Sequence, residues 1–154
     1  MTKTLLIIGA GHEQVPAIEI AKAKGIRVVV TDRDPGAPGA ALADGFHERS
    51  TGDKEGNVEV AKRERVEGVM TLGSETAVPV VARVAAELGL PGYSEETALR
   101  ATNKNAMREA FARHGVPTPA SQPVGDVAEA WRFAEAHGYP LVVKPSDCSG
   151  QRGT

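Results

Sequence analysis

The fold is decided by the stretch Thr4-Leu5-Leu6-Ile7-Ile8-Gly9-Ala10-Gly11. Its first five residues are nearly all apolar, as expected for a strand that is buried on both faces of a parallel sheet. The glycines end this strand, and the following residues predict a helix from about Gln14 to Lys24. A second apolar strand is predicted over 26–31. Strand–helix–strand order with short connections predicts an α/β fold with a parallel sheet and right-handed crossovers.

The remaining pattern predicts further helices and strands. Thr76 and Thr102 are the expected N-caps of their helices, and Pro79 is expected in a first helical turn. Asp126 and Glu129 have the spacing of a capping box. The predicted elements are a short strand over 46–49, a helix over 54–65, a strand over 68–72, a helix ending at 89, a helix starting at 94, helices over 103–114 and 126–137, a strand over 141–144 and a polar turn over 146–153.

Composition excludes several classes of protein. The 154 residues carry 18 Lys and Arg against 20 Asp and Glu, a net charge of −2, which argues against nucleic acid as a partner. No apolar run approaches the ~20 residues that a transmembrane helix needs, so we expect no membrane association. The single cysteine, Cys148, cannot form an internal disulfide, which fits the cytoplasm. The four histidines lack the spacing of a zinc site.

The glycine-rich turn after the first strand has three interpretations. Gly9-Ala10-Gly11 with Asp32 near the end of the second strand is close to the fingerprint of dinucleotide-binding proteins. However, Gln14 replaces the third glycine, and His12 and Glu13 stand where a pyrophosphate needs bare backbone. The turn could instead only reverse the chain, or it could hold a small polar substrate through its backbone amides.

Glu75 follows the predicted fourth strand and therefore points to the same edge of the sheet. Ligands of such sheets bind beyond the carboxyl ends of the strands. An acidic residue there is either solvated or holds a ligand. The candidate substrate-binding residues are Gly11, His12, Glu13, Asp32 and Glu75.

An ordered set of motifs in the second half of the chain carries the strongest signal. Asn103-Lys104-Asn105-Ala106-Met107-Arg108 begins a predicted helix, and Gly115-Val116-Pro117-Thr118-Pro119 follows it. Gly138-Tyr139-Pro140-Leu141-Val142-Val143-Lys144-Pro145 then leads into the 146–153 turn. Lys144 adjoins an apolar run, so its ammonium group has to reach solvent or meet an anion. No Walker phosphate loop is present.

In these motifs the sequence resembles the ATP-grasp superfamily of carboxylate–amine ligases, which includes biotin carboxylase, the large subunit of carbamoyl-phosphate synthetase and formate-dependent phosphoribosylglycinamide transformylase. The resemblance extends over the whole chain, including Asp32–Pro38. It implies a Rossmann-like preATP-grasp domain over 1–92, a helical linker over 93–117 and the beginning of the small ATP-grasp subdomain over 118–154.

The resemblance also implies a site for ATP at the domain junction. Lys104 and Lys144 would approach the phosphates from different elements, and the 146–153 turn would close over them. The residues implied to bind ATP are Lys104, Lys144, Ser146, Ser149, Gly150, Arg152 and Gly153. The family's Mg²⁺ ligands, adenine-binding hinge and catalytic arginine lie further along the chain in its members, so the metal ligands are expected outside these residues.

The function that the resemblance implies is ATP-dependent joining of a carboxylate to an amine through an acyl phosphate, with release of ADP. We expect this chain to be the amino-terminal part of such a ligase and to be inactive by itself. The expected partners are small-molecule carboxylate and amine substrates, and a homodimer is a possible assembly. The alternatives are a non-catalytic Rossmann-like module that binds a nucleotide or a small acid, and a degenerate chain kept for assembly.

Overall fold

The computed structural model describes residues 2–147. The chain divides into two compact units, an amino-terminal unit that ends at Ala98 and a carboxy-terminal unit that begins at Leu99. In chain order the elements are β1 (Thr4–Ile8), α1 (Val15–Ala23), β2 (Arg27–Asp32), β3 (Gly45–Glu48), α2 (Lys54–Glu64), β4 (Gly68–Met70), a 3₁₀ turn (Glu75–Ala77), α3 (Val78–Leu88), α4 (Glu95–Thr102), α5 (Lys104–Arg113) and α6 (Val127–His137).

The amino-terminal unit contains a four-stranded parallel sheet with the order β3-β2-β1-β4, which confirms the predicted α/β fold. β1 and β2 are central, and their side chains are buried on both faces. Leu6, Ile8 and Val29 belong to one core cluster, and Ile7 and Val30 belong to another. The predicted burial on both sides is therefore confirmed.

A buried polar network lies under the carboxyl end of β2. The Thr31 hydroxyl donates to the Asn57 side-chain oxygen at 2.6 Å, and both residues are completely buried. The Asn57 amide group donates to the carbonyl oxygens of Ser50 and Asp53 at 2.9 and 2.6 Å. Asn57 on α2 thus ties the β3–α2 loop to the centre of the sheet.

Two carboxylates stabilise the edge at β3. Asp44 accepts the Val28 amide at 2.8 Å, and this bond, with help from Lys22, lowers the pKa of Asp44. Glu64 contacts Arg27 at 2.7 Å and His47 at 2.9 Å. The Arg27 guanidinium is the main cause of the lowered pKa of Glu64.

Two predicted helix caps are wrong. Thr76 lies inside the 3₁₀ turn, and α3 begins at Val78 after Ala77, although Pro79 is in its first turn as predicted. Asn103, rather than Thr102, caps α5, because its side-chain oxygen accepts two amides of the first turn at 3.1 and 3.0 Å. Thr102 is the last residue of α4, since the chain turns into a new helix one residue later than predicted.

The predicted capping box of α6 is present in a modified form. Asp126 accepts the Glu129 amide at 2.8 Å. The Glu129 carboxylate reaches back to the Gly125 amide at 2.7 Å instead of the amide of Asp126.

The strand predicted over 141–144 is wrong for the part of the chain that the structure describes. These residues form no ladder with another described segment, and Val142 is 73% exposed. A strand requires a neighbouring strand whose backbone pairs with its amides and carbonyls. The apolar, β-branched residues of this segment favour a strand, but they do not provide that neighbour. Within residues 2–147, no helix is both long and apolar enough to cross a membrane.

Candidate functional site

The loop after β1 is held from several directions. Gly9 has a φ of +98°, which glycine adopts readily, and its amide donates to the Thr31 carbonyl at 2.8 Å. The Ala10 amide donates to the Asp32 carboxylate at 2.9 Å, and the other Asp32 oxygen accepts the Asp34 amide at 3.1 Å. The structure therefore places Asp32 beside the loop, with both carboxylate oxygens bonded to backbone amides.

Gln14 is a residue of this loop whose role the sequence did not indicate. Its side chain is 6% exposed and lies against Gly9 and Gly11. A β-carbon added at Gly9 would come within 3.0 Å of the Gln14 side chain, and one added at Gly11 within 3.2 Å. Its side-chain nitrogen donates to the Leu72 carbonyl after β4. Gln14 thus fills the space of the fingerprint's third glycine and connects the loops after β1 and β4. The only signal in the sequence was the departure from glycine at this position.

Glu13 and Gly73 bring the same two loops together. Gly73 has a φ of +67°, and a β-carbon there would overlap the Glu13 carboxylate. The side chains of His12, Glu13 and Glu75 are exposed and form no hydrogen bond or ion pair within residues 2–147. These polar groups are thus available to a ligand at the carboxyl edge of the sheet.

Three backbone amides of the β1–α1 loop are also available. Within the described part of the chain, those of Gly11, His12 and Glu13 donate to no protein atom. The amides of Gly9 and Ala10 are already bonded within the protein. This arrangement suits a small polar ligand better than a pyrophosphate, which needs the bare backbone that Gln14 covers.

A cavity of about 580 Å³ lies inside the carboxy-terminal unit. Lys104, at the start of α5, and Lys144 both line it. The Lys104 amide also donates to the Ser146 carbonyl at 2.8 Å, which holds the beginning of the polar turn against the start of α5. The structure therefore brings Lys104, Lys144 and Ser146 together around one space.

The charge around this cavity is positive. Among its described lining residues, Lys104, Arg108 and Lys144 are cationic and none is an aspartate or a glutamate. The other walls come from Pro119–Val124, from α6 and from the 140–146 segment. Such a set of donors with an apolar surround suits an anionic ligand.

Four other residues that the resemblance implies for ATP lie outside the described residues. They are Ser149, Gly150, Arg152 and Gly153. Within residues 2–147, no group of three or more His, Cys, Asp or Glu side chains could hold a metal ion.

Comparison with known proteins identifies the family. The family described as carbamoyl-phosphate synthase L chain, ATP binding domain, matches residues 100–154. The carbamoyl phosphate synthase large chain of Rubrobacter xylanophilus is 30% identical over 172 residues, which cover 98% of this chain and 16% of that protein. The chain belongs to the ATP-grasp superfamily.

Solved ATP-grasp structures have the same fold. Phosphoribosylglycinamide synthetase from Anaerococcus prevotii is 29% identical with a TM-score of 0.77, over 96% of this chain and 38% of that one. The biotin carboxylase domain of the Hydrogenobacter thermophilus 2-oxoglutarate carboxylase, solved as a dimer with MgADP, ADP and bicarbonate, is 26% identical with a TM-score of 0.77, over 97% and 36%. This ATP-grasp chain therefore spans well under half the length of the relatives it matches.

Proposed function

We propose that this chain provides the substrate-binding and phosphate-binding parts of an ADP-forming carboxylate–amine ligase. The observation that carries the proposal is that Lys104 and Lys144, which lie 40 positions apart in the sequence, line one cavity, and its described lining includes no carboxylate. Two ammonium groups converging from separate elements can neutralise a polyphosphate without a Walker loop. The ligase family and the MgADP complex of a similar structure support this assignment.

In this proposal each part of the chain has a separate task. ATP would supply the phosphoryl group that activates the carboxylate as an acyl phosphate, and the amine would then displace phosphate. The lysines would orient the phosphates and offset their charge. The loops that carry Gly11, His12, Glu13, Asp32 and Glu75 would hold the small-molecule acid or amine.

Magnesium does not fit the residues that the structure describes, since the described cavity lining has no Asp or Glu and no group of three or more possible metal ligands occurs within residues 2–147. We therefore assign no step to the metal within residues 2–147. A homodimer and the lack of turnover by this chain alone stay predictions.

Titration of the chain with ATP by isothermal calorimetry tests the proposal. Lys144→Met removes a charge-assisted contact worth about 1.5–3 kcal/mol, so we expect ATP to bind about 10- to 100-fold more weakly. Lys24→Met is the matched control, because Lys24 is exposed and lies on the other unit. The proposal is wrong if the unmodified chain does not bind millimolar ATP, or if both variants bind it equally well.

The alternative of a dinucleotide-binding module is tested with the same protein. Because Gln14 covers Gly9 and Gly11, we expect NADH to bind far more weakly than ATP. Tight NADH binding with no affinity for ATP would favour the binding module instead.

A further inference from the structure

Arg108 stands one helical turn after Lys104 and lines the same cavity. Residues four apart share one face of a helix, so both cations are on the cavity side of α5. One guanidinium nitrogen of Arg108 donates to the Thr118 hydroxyl, which belongs to the segment after α5. This bond holds the arginine head in place at the cavity wall.

Among residues 2–147, no carboxylate forms an ion pair with Arg108. Arg108 itself is half-buried. A guanidinium has five N–H donors, and Thr118 accepts only one bond from it. An anion in this cavity would use the remaining N–H donors of Arg108.

We infer that Arg108 is a third phosphate-binding residue of this cavity, one that contacts the phosphate oxygens of the nucleotide. This inference rests on the proposed function. The planar fork of an arginine can donate two parallel bonds to a phosphate, whereas each lysine acts as a point charge. Thr118 serves as a positioning residue that orients the fork.

Calorimetric titration with ATP, inorganic tripolyphosphate and adenosine tests the inference. Arg108→Gln should weaken the binding of ATP and of tripolyphosphate about 10- to 100-fold, which is the effect of losing a charge-assisted contact. The same substitution should change the affinity for adenosine less than threefold. Arg108→Lys should recover part of the loss, because it restores the charge without the fork. Thr118→Val should produce a smaller loss for the polyphosphates, because the charge remains but is less well oriented.

Arg113→Gln is the matched control, because Arg113 is an exposed cation on the same helix that does not line the cavity. It should leave all three affinities within twofold. Circular dichroism of each variant checks folding. If Arg108→Gln does not fold, the two single variants Arg108→Lys and Thr118→Val still test the inference.

The outcomes separate this inference from the proposed function. If the unmodified chain binds neither ATP nor tripolyphosphate, the proposed function fails, and the inference fails with it. If Lys144→Met weakens ATP but folded Arg108→Gln behaves like Arg113→Gln, only the inference is overturned. A loss that is equal for adenosine and for tripolyphosphate would show a structural role for Arg108 and would also overturn it.

Discussion

Asn57→Leu tests whether the buried polar network under β2 stabilises the amino-terminal unit. Leucine has the same branching pattern as asparagine, with methyl groups in place of the amide oxygen and nitrogen, but cannot form hydrogen bonds with Thr31 or Ser50. The completely buried Thr31 hydroxyl then loses its acceptor. The Ser50 and Asp53 carbonyls each keep a backbone donor, the amides of residues 53 and 57 at 3.1 and 3.2 Å. One orphaned buried group costs about 1–3 kcal/mol, so we expect a loss of about 2 kcal/mol.

A double-mutant cycle with Thr31→Val isolates the bond between the two side chains. Thr31→Val alone leaves the Asn57 oxygen without its donor and should cost about 1–2 kcal/mol. In the double variant, neither partner of this bond remains to be orphaned. The combined loss should therefore be smaller than the sum of the single losses by about 1–2 kcal/mol.

Hydrogen exchange measured by mass spectrometry on β1 and β2 peptides is the suitable assay. Trp131 lies in the carboxy-terminal unit, so tryptophan fluorescence would not report on this sheet. Glu59→Gln, an exposed change on the same helix, should stay within about 0.5 kcal/mol of the unmodified protein. Unchanged protection in Asn57→Leu, or additive losses in the cycle, would refute the structural reasoning.

Two further predictions concern the Gln14 contact and the ion pairs at β3. Gln14→Ala removes the hydrogen bond to the Leu72 carbonyl, so we expect the free energy of unfolding to fall by about 1 kcal/mol. NMR chemical shifts should change in residues 72–75 but not in β3, and unchanged shifts in residues 72–75 would contradict the contact. Because the pKa of Asp44 and of Glu64 is lowered in the folded state, their stabilisation is complete above the ordinary carboxyl pKa values and is lost as the pH falls below about 4. Glu64→Gln should therefore lower the melting temperature at pH 7 but much less at pH 3, and an equal difference at both pH values would count against this explanation.

The sequence by itself determined the architecture of the amino-terminal unit. The apolar runs around Leu6 and Val29, and the glycine that follows β1, are local signals. They indicated strands buried on both faces, and the helix predicted between them indicated a crossover to a parallel neighbour. The motifs around Lys104 and Lys144 were also sufficient to indicate the ATP-grasp superfamily.

Only the tertiary structure decided which side chains meet. Gln14 reaches a carbonyl 58 positions away, and Arg108 reaches Thr118 beyond the end of its own helix. The placement of Lys104 and Lys144 around one cavity likewise depends on the path of the chain through α6. Periodicity reports which face of an element is apolar, but contacts between elements depend on how they pack. The same reason explains why residues 141–144 do not form the predicted strand. A β-propensity is a local property, whereas a strand needs a neighbouring strand to pair with.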